Sequence, residues 1–226
     1  MSTQPIPPAI ARIAPDGNLT PRQRRHFLID LARRRVRPGT GSSAEFMQRR
    51  TALHPWPDLR SILKGIEWMI IGGVATRAYM PERVTKDLDI LVDHTDGPEV
   101  IERMKKAGYL VVSELAVPGY LLCSAEGIEI DVLFGRYRWL KEAFAQTERD
   151  AAGYPVISLP FLVILKMAAN RGRDVGDLTT MLGWASEETL EKVRKIVGRY
   201  SPEDSGDLES LIFIGQKERE QPPTVE

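Results

Sequence analysis

The sequence is poor in the residues that build disulfide or zinc sites. Its 226 residues include a single cysteine, Cys123, which excludes an internal disulfide and agrees with a reducing cytoplasm. The three histidines, at positions 26, 54 and 94, are scattered, so no zinc-ligand spacing exists. A nucleophile elbow, a P-loop motif and a Rossmann glycine motif are also missing. These absences disfavour disulfide-stabilised, zinc-binding and serine-hydrolase proteins.

Long apolar runs are absent as well. No stretch approaches the ~20 apolar residues that a membrane span requires. Prolines interrupt the N-terminal MSTQPIPPAIARIAPDG, where a secretory signal would carry a continuous apolar segment. Hydrophobic residues make up 42% of the chain and charged residues 27%, as in ordinary globular proteins. We therefore expect a cytoplasmic protein of one large domain or two small ones.

The net charge of zero conceals an uneven distribution. Residues 1–58 contain ten arginines and four acidic residues, which gives this part +6 and the remainder −6. Such a basic arm could bind phosphate backbones. It could equally lie across the acidic remainder of its own chain or of a second copy.

The pattern of the chain predicts an α/β (α+β) protein in three parts. In the arm, residues 1–58, Thr20-Pro21 predicts the start of a basic helix that continues to Pro38, and a second short helix is expected over 42–54. Residues 59–158 alternate between strands and helices, with a strand at 67–71, a helix at 74–80, a strand at 86–92, a helix at 98–107 and three strand-like runs. Residues 159–226 read as a C-terminal helical region with a frayed tail.

Two carboxylates stand one residue apart on the predicted strand of KDLDILV. Asp87 and Asp89 share one face of that strand, about 6.6 Å apart along the chain. Like charges this close repel each other, which predicts a positive partner between them, and Mg²⁺ prefers carboxylate oxygens. Asp131, on a second predicted strand, could complete a site for two metal ions. In the simpler alternative, Asp87 ends a loop and Asp89 pairs with a nearby arginine such as Arg83.

Gly72 and Gly73 follow a predicted buried strand and precede a helix. Backbone N–H groups at such a turn could face a triphosphate, because glycine permits close approach. A glycine pair is also common in turns for purely geometric reasons.

Taken together, the motif GGVATRAYMPERVTKDLDILVD and the isolated strand aspartate about forty residues later resemble the nucleotidyltransferase (polymerase-beta-like) superfamily. The segment LPFLVILKMAANRGRDVGDLTTML is similar to a helical segment of its AbiEii-type toxin branch, which belongs to type IV toxin–antitoxin systems. The resemblance covers about residues 59–215. It implies a small mixed β-sheet core with flanking helices and a C-terminal helical bundle.

The resemblance also implies roles for individual positions. Asp87, Asp89 and Asp131 would hold Mg²⁺ or Mn²⁺, with Asp131 alternatively acting as the base toward the acceptor hydroxyl. A larger set would bind the nucleotide: Gly72, Gly73, Arg83, Thr85, Lys166, Arg173 and Asp174. The chain departs from the commonest superfamily motif at Gly73, where serine often stands, and at Arg77, where glycine would follow.

Helical spacing provides a second indication for the C-terminal segment. In an unbroken helix, residues three and four positions apart share one face. The polar residues with this spacing are Lys166, Asn170, Arg173, Asp174 and Asp177. Gly172 could break that helix, and an exposed polar stripe would show the same spacing. Arg83 and Thr85 could instead hold the loop before the catalytic strand.

The implied activity is Mg²⁺-dependent transfer of a nucleoside monophosphate from an NTP to an acceptor hydroxyl. An RNA 3′ end, with tRNA favoured, is the acceptor that the toxin branch implies, together with a possible cognate antitoxin. Two alternatives stay open at this point: nucleotidylation of a protein or small molecule, and a non-catalytic binding protein on the same fold.

Overall fold

The computed structural model describes residues 6–40, 56–80, 85, 87–150 and 152–220. Its centre is a seven-stranded mixed sheet, in agreement with the predicted α/β fold. The strands are β1 (Trp68–Ile70), β2 (Asp87–Asp93), β3 (Leu110–Glu114), β4 (Gly119–Cys123), β5 (Glu129–Gly135), β6 (Glu148–Arg149) and β7 (Pro155–Val156). Their order across the sheet is β3-β4-β5-β2-β1-β7-β6. None of the helices in these ranges is long and apolar enough to cross a membrane.

The central strands run in mixed directions. β2 is parallel to β5 and antiparallel to β1, and β1 is parallel to β7. The amino ends of β2 and β5 therefore lie at the same edge of the sheet as the carboxyl ends of β1 and β7. The predicted hairpin between β4 and β5 is confirmed, with Gly127 in the turn at φ +80°.

The two faces of the sheet differ in burial. Residues that point to one face are buried, and Leu88, Ile90, Leu122, Ile130 and Val132 are each at most 1% exposed. Helix α4 (Gly97–Lys106) contributes Val100 and Met104 to the core, and its first residue lies against the Phe134 ring. The opposite face carries the acidic residues of β2 and β5.

Short helices connect and extend this sheet. Before the sheet come α1 (Pro8–Ala11) and α2 (Pro21–Arg35). Helix α3 (Gly72–Ala75) continues as a 3₁₀ turn (Thr76–Ala78), so this element begins two residues earlier than the helix predicted from Val74 to Met80. Helix α5 (Leu140–Ala145) follows β5.

The C-terminal region is helical, as predicted. It comprises α6 (Leu159–Ala169), α7 (Gly172–Trp184), α8 (Glu187–Tyr200), a 3₁₀ turn (Pro202–Asp204) and α9 (Ser205–Arg219). Helices α7 and α9 cross closely, because a Cβ at Gly215 would lie 2.0 Å from the Thr179 carbonyl oxygen.

A single helix does not run through Lys166 and Asp177, although the spacing allowed one. The first helix ends at Asn170, which adopts the left-handed conformation at φ 54° and is buried. The backbone is extended at Arg171, and α7 starts at Gly172. Lys166 therefore faces Asp174 and Asp177 across the interface between two helices.

Helix α2 packs against this C-terminal region. Thr20 and Gln23 form the capping box that starts it. Arg25 is 4% exposed, its Nε donates to Asp207 (2.7 Å), its Nη1 donates to the Met167 carbonyl oxygen (2.7 Å), and it pairs with Asp204. At this helix the basic arm does lie on acidic residues of its own chain. The second predicted helix of the arm, over 42–54, lies outside the described residues.

Candidate metal and nucleotide site

Three aspartates converge at the edge where β2 and β5 begin. Asp89 and Asp131 are direct partners in the parallel register, and Asp87 stands two residues before Asp89 on the same face. One carboxylate oxygen from each of the three lies within 4.8 Å of the others. Three partly buried acids at this spacing form an oxygen-rich donor set that fits Mg²⁺ or Mn²⁺.

The glycine pair determines the position of Asp89. Gly72 has φ +65°, and a Cβ at this residue would come within 1.9 Å of Asp89 Oδ2. The backbone N–H of Gly73 donates to the Asp89 carboxylate, and the N–H of Ile71 donates to the Asp89 carbonyl oxygen at 2.9 Å. The glycines therefore hold one carboxylate of the aspartate cluster. Their predicted contact with the nucleotide phosphates stays a prediction.

The electrostatics of the cluster favour cation uptake. Burial, together with the negative charges of Asp87 and Asp131, raises the pKa of Asp89 to about 7. Burial, with Asp87 and Glu129 nearby, raises the pKa of Asp131 as well. A divalent cation would relieve this repulsion, because an opposite charge within a few ångströms favours the ionised carboxylate.

Thr85 supports the first aspartate of the cluster. Its hydroxyl donates to Asp87 Oδ1 at 2.7 Å, so it orients that carboxylate. Arg83, predicted to bind the nucleotide or to hold this loop, lies outside the described residues.

Lys166 lies in a buried ion-pair cluster. Its ammonium donates to Asp177 at 2.6 Å and to Asp174 at 3.2 Å, and its side chain is 4% exposed. Burial alone would raise the pKa of Asp174, but hydrogen bonds from Arg171 and the charges of Lys166 and Arg171 outweigh it and lower the pKa. The observed contacts of Lys166 are structural, because they join α6 to α7. Its predicted contact with the triphosphate is not part of this arrangement and stays a prediction.

Arg171 is a site residue that the sequence reasoning did not single out. Its Nε donates to Asp174 at 2.9 Å, while its side chain is 53% exposed. Its positive charge partly offsets the rise in the pKa of Asp89, so the guanidinium acts electrostatically on the aspartate cluster. The signal was present in the run N-R-G-R-D, since residue 171 immediately precedes the first turn of α7. Arg173, predicted to bind the nucleotide, is exposed on that turn.

These contacts form a row of alternating charges that links the helices to the sheet. Lys166 pairs with Asp174, Asp174 pairs with Arg171, and Arg171 acts on Asp89. The buried part of the row fixes the position of Arg171. No partner of its Nη1 and Nη2 groups is seen among the described residues, which leaves these donors available to an anion.

The comparisons with known proteins give structural neighbours only. Neither a protein-family profile nor a curated protein matches the sequence. The chain is similar to the crystal structure of ANT(2″)-Ia in complex with adenylyl-2″-tobramycin, with 17% identity and a TM-score of 0.39, over 68% of this chain and 88% of that chain. It is also similar to the solution structure of the antibiotic-resistance factor ANT(2″)-Ia, with 15% identity and a TM-score of 0.37, over 68% of this chain and 83% of that chain. Neither is named as an AbiEii-type toxin, so that branch stays a prediction.

Proposed function

We propose that the protein is a divalent-cation-dependent nucleotidyltransferase that transfers a nucleoside monophosphate from an NTP to an acceptor hydroxyl. The observation that carries this proposal is the convergence of Asp87, Asp89 and Asp131 within 4.8 Å beside Gly72. An isolated structural acid pair does not require a third acid on the neighbouring strand or a glycine that makes room for one of the carboxylates.

Each group of residues has a part in this chemistry. Asp87, Asp89 and Asp131 would hold Mg²⁺ or Mn²⁺, which supplies charge neutralisation at the phosphates. The guanidinium of Arg171 would bind the triphosphate, a role suited to its planar array of donors. The acceptor oxygen attacks the α-phosphorus, the bond from that phosphorus to the β-phosphate bridging oxygen breaks, and pyrophosphate leaves with the electron pair. The hydroxyl proton passes to Asp131 and then to solvent.

For the acceptor, the first candidate is an RNA 3′ end, with tRNA favoured, modified by a toxin-like enzyme of a toxin–antitoxin or phage-defence system with a cognate antitoxin. The supporting observation is the surface of the arm. Among the described arginines of the arm, Arg25 is the only buried one. The others are exposed, namely Arg12, Arg22, Arg24, Arg33, Arg34, Arg35 and Arg37. Exposed guanidinium groups on one helix and its flanks are suited to a phosphate backbone.

The second candidate is a protein or a small molecule as acceptor. The supporting observation is the uncovered face of the sheet beside Asp131, where Leu121 and Cys123 are partly exposed. A surface of this kind suits an acceptor with an apolar part better than it suits a polyanion.

The test is incubation of the protein with each α-labelled NTP and Mg²⁺ or Mn²⁺, in the presence of total RNA or of cell lysate. We expect pyrophosphate release and label on an acceptor, both lost in the D87N/D89N variant. Label on protein or on small molecules with none on RNA would replace the first candidate by the second. Absence of any metal-dependent NTP binding or pyrophosphate release would overturn the proposed activity itself.

A further inference from the structure

Two rows of side chains lead away from the metal-binding acids across the sheet. Residues that pair in register point to the same face, so each row can be followed from strand to strand. From Asp89 the first row passes through Asp131 and Leu121 to Ser113. From Asp87 the second row passes through Glu129 and Cys123 to Leu110. At about 4.8 Å per strand, Leu121 and Cys123 lie roughly one strand spacing beyond Asp131 and Glu129.

Among the described residues, this part of the sheet is partly exposed. Leu110 is 72% exposed, and Leu121 and Cys123 are partly exposed, whereas Leu122, which points to the other face, is 0% exposed. We call the surface formed by Leu110, Leu121, Cys123, Glu129 and Leu133 the open face. Apolar side chains left exposed next to a catalytic centre are typical of a binding surface.

The arrangement of the site indicates that the acceptor hydroxyl approaches over the open face. In a displacement at phosphorus, the attacking and leaving oxygens lie on opposite sides of the reacting atom. The glycine pair that follows β1 holds Asp89 and so lies on the β1 side of the acids, and its predicted contact with phosphates favours the leaving pyrophosphate there. The acceptor hydroxyl must then approach from the β5 side, past Asp131 and over the open face.

The charge of the open face selects among acceptors. Neither row contains a lysine or an arginine, and the charge added beyond the three aspartates is the exposed carboxylate of Glu129. A phosphate chain laid here would meet like charge over an apolar floor, whereas an amino group would pair with Glu129. The exposed arginines of α2 belong to a helix that packs on α6, α7 and α9.

From these observations, and resting on the proposed nucleotidyl transfer, we propose that the open face is the acceptor subsite and that it takes a small hydroxyl-bearing molecule with an apolar ring and an amino group. The ring lies on Leu121, Cys123 and Leu133, and the amino group pairs with Glu129. The hydroxyl then reaches Asp131 and forms the new bond to the α-phosphorus.

The experiment measures transfer of label from α-labelled NTP to a panel of alicyclic and phenolic amino alcohols, with single-stranded RNA as the competing acceptor class. The decisive variant is Leu121→Arg, which places a charge in the floor of the open face. We expect its kcat/KM for a labelled panel member to fall at least about tenfold, the scale of a lost apolar contact. Val117→Arg is the matched control, because Val117 is an apolar residue 51% exposed in the turn between β3 and β4, outside both rows.

The single cysteine of the chain provides an independent readout of the same surface. We expect a labelled panel member, added with Mn²⁺ and a non-hydrolysable NTP, to slow alkylation of Cys123 by N-ethylmaleimide. Transfer to RNA alone, or equal rates for Leu121→Arg and Val117→Arg, would overturn the subsite. If the unmodified protein binds Mn²⁺ and NTP in that case, the proposed nucleotidyl transfer still stands. If the unmodified protein does not bind them, the result counts against the proposed function itself.

Discussion

Gly72 lies so close to Asp89 that a Cβ at residue 72 would come within 1.9 Å of the Asp89 carboxylate oxygen. One acid of the proposed metal site and the turn after β1 therefore share one small space. The glycine is required by its neighbour on β2, in addition to its own positive φ of +65°.

Substitution of Gly72 by alanine should consequently weaken metal binding. The methyl group must displace Asp89 from the cluster, and we expect Mn²⁺ affinity to fall at least about tenfold, measured by titration calorimetry. Gly108→Ala is the matched control, because Gly108 has φ +94° but no atom lies within 4 Å of its Cβ position. It should show a similar backbone strain with unchanged Mn²⁺ affinity, and equal affinities for the two variants would contradict this reading.

The affinity for Mn²⁺ should depend on pH below neutrality. The pKa of Asp89 is raised to about 7 in the metal-free protein, so below that pH a proton must leave before the metal binds. We expect the dissociation constant to fall by up to about tenfold per pH unit from pH 5.5 to 7 and to level off above it. Asp93→Asn at the other end of β2 should leave the profile unchanged, since hydrogen bonds from Thr95 hold the pKa of Asp93 low. A flat profile in the unmodified protein would disprove the coupling.

Arg171→Ala should weaken NTP binding while the metal site stays intact. We expect the affinity for a non-hydrolysable NTP to drop about tenfold, the scale of one charge-assisted hydrogen bond to phosphate. Arg173→Ala provides the comparison, because its exposed side chain lies two residues further along and was predicted from sequence to bind the nucleotide. A larger loss in Arg173→Ala than in Arg171→Ala would favour the sequence-based assignment over the structural one.

Lys166→Met should destabilise the fold. It leaves Asp174 and Asp177 buried without their shared ammonium, which costs on the order of 3–5 kcal/mol of unfolding free energy in urea denaturation. Lys192→Met removes an exposed pair with Glu188 and should cost at most about 1 kcal/mol. Unchanged stability together with a raised KM for NTP would restore the predicted triphosphate contact of Lys166.

Much of the fold followed from local sequence patterns. Alternation in the strands, the Thr20-Pro21 helix start and the turn at Gly127 each depend on neighbouring residues, and the structure confirms them. The meeting of Asp131 with Asp89 followed from assuming that their strands are neighbours, which the register confirms.

Features that depend on distant contacts were not predictable in the same way. The role of Gly72 depends on a carboxylate seventeen residues away. The sequence did not distinguish a helix end at Asn170, one residue before Arg171, from a helix end at Gly172. Arg171 lies in the extended residue between that break and the start of α7, which the helical spacing alone did not indicate.

The turn at Asn170 also constrains the number of residues between Lys166 and Asp177. Each residue added to an α-helix rotates the remainder of that helix by about 100° around its axis. An insertion between Lys166 and Asp177 would turn the acidic partners of the lysine away from it and disturb the pairing of Arg171 with Asp174, whereas the exposed turn between β3 and β4 has no such constraint. Length variation among relatives of this chain should therefore be confined to surface turns and excluded from the α6–α7 junction.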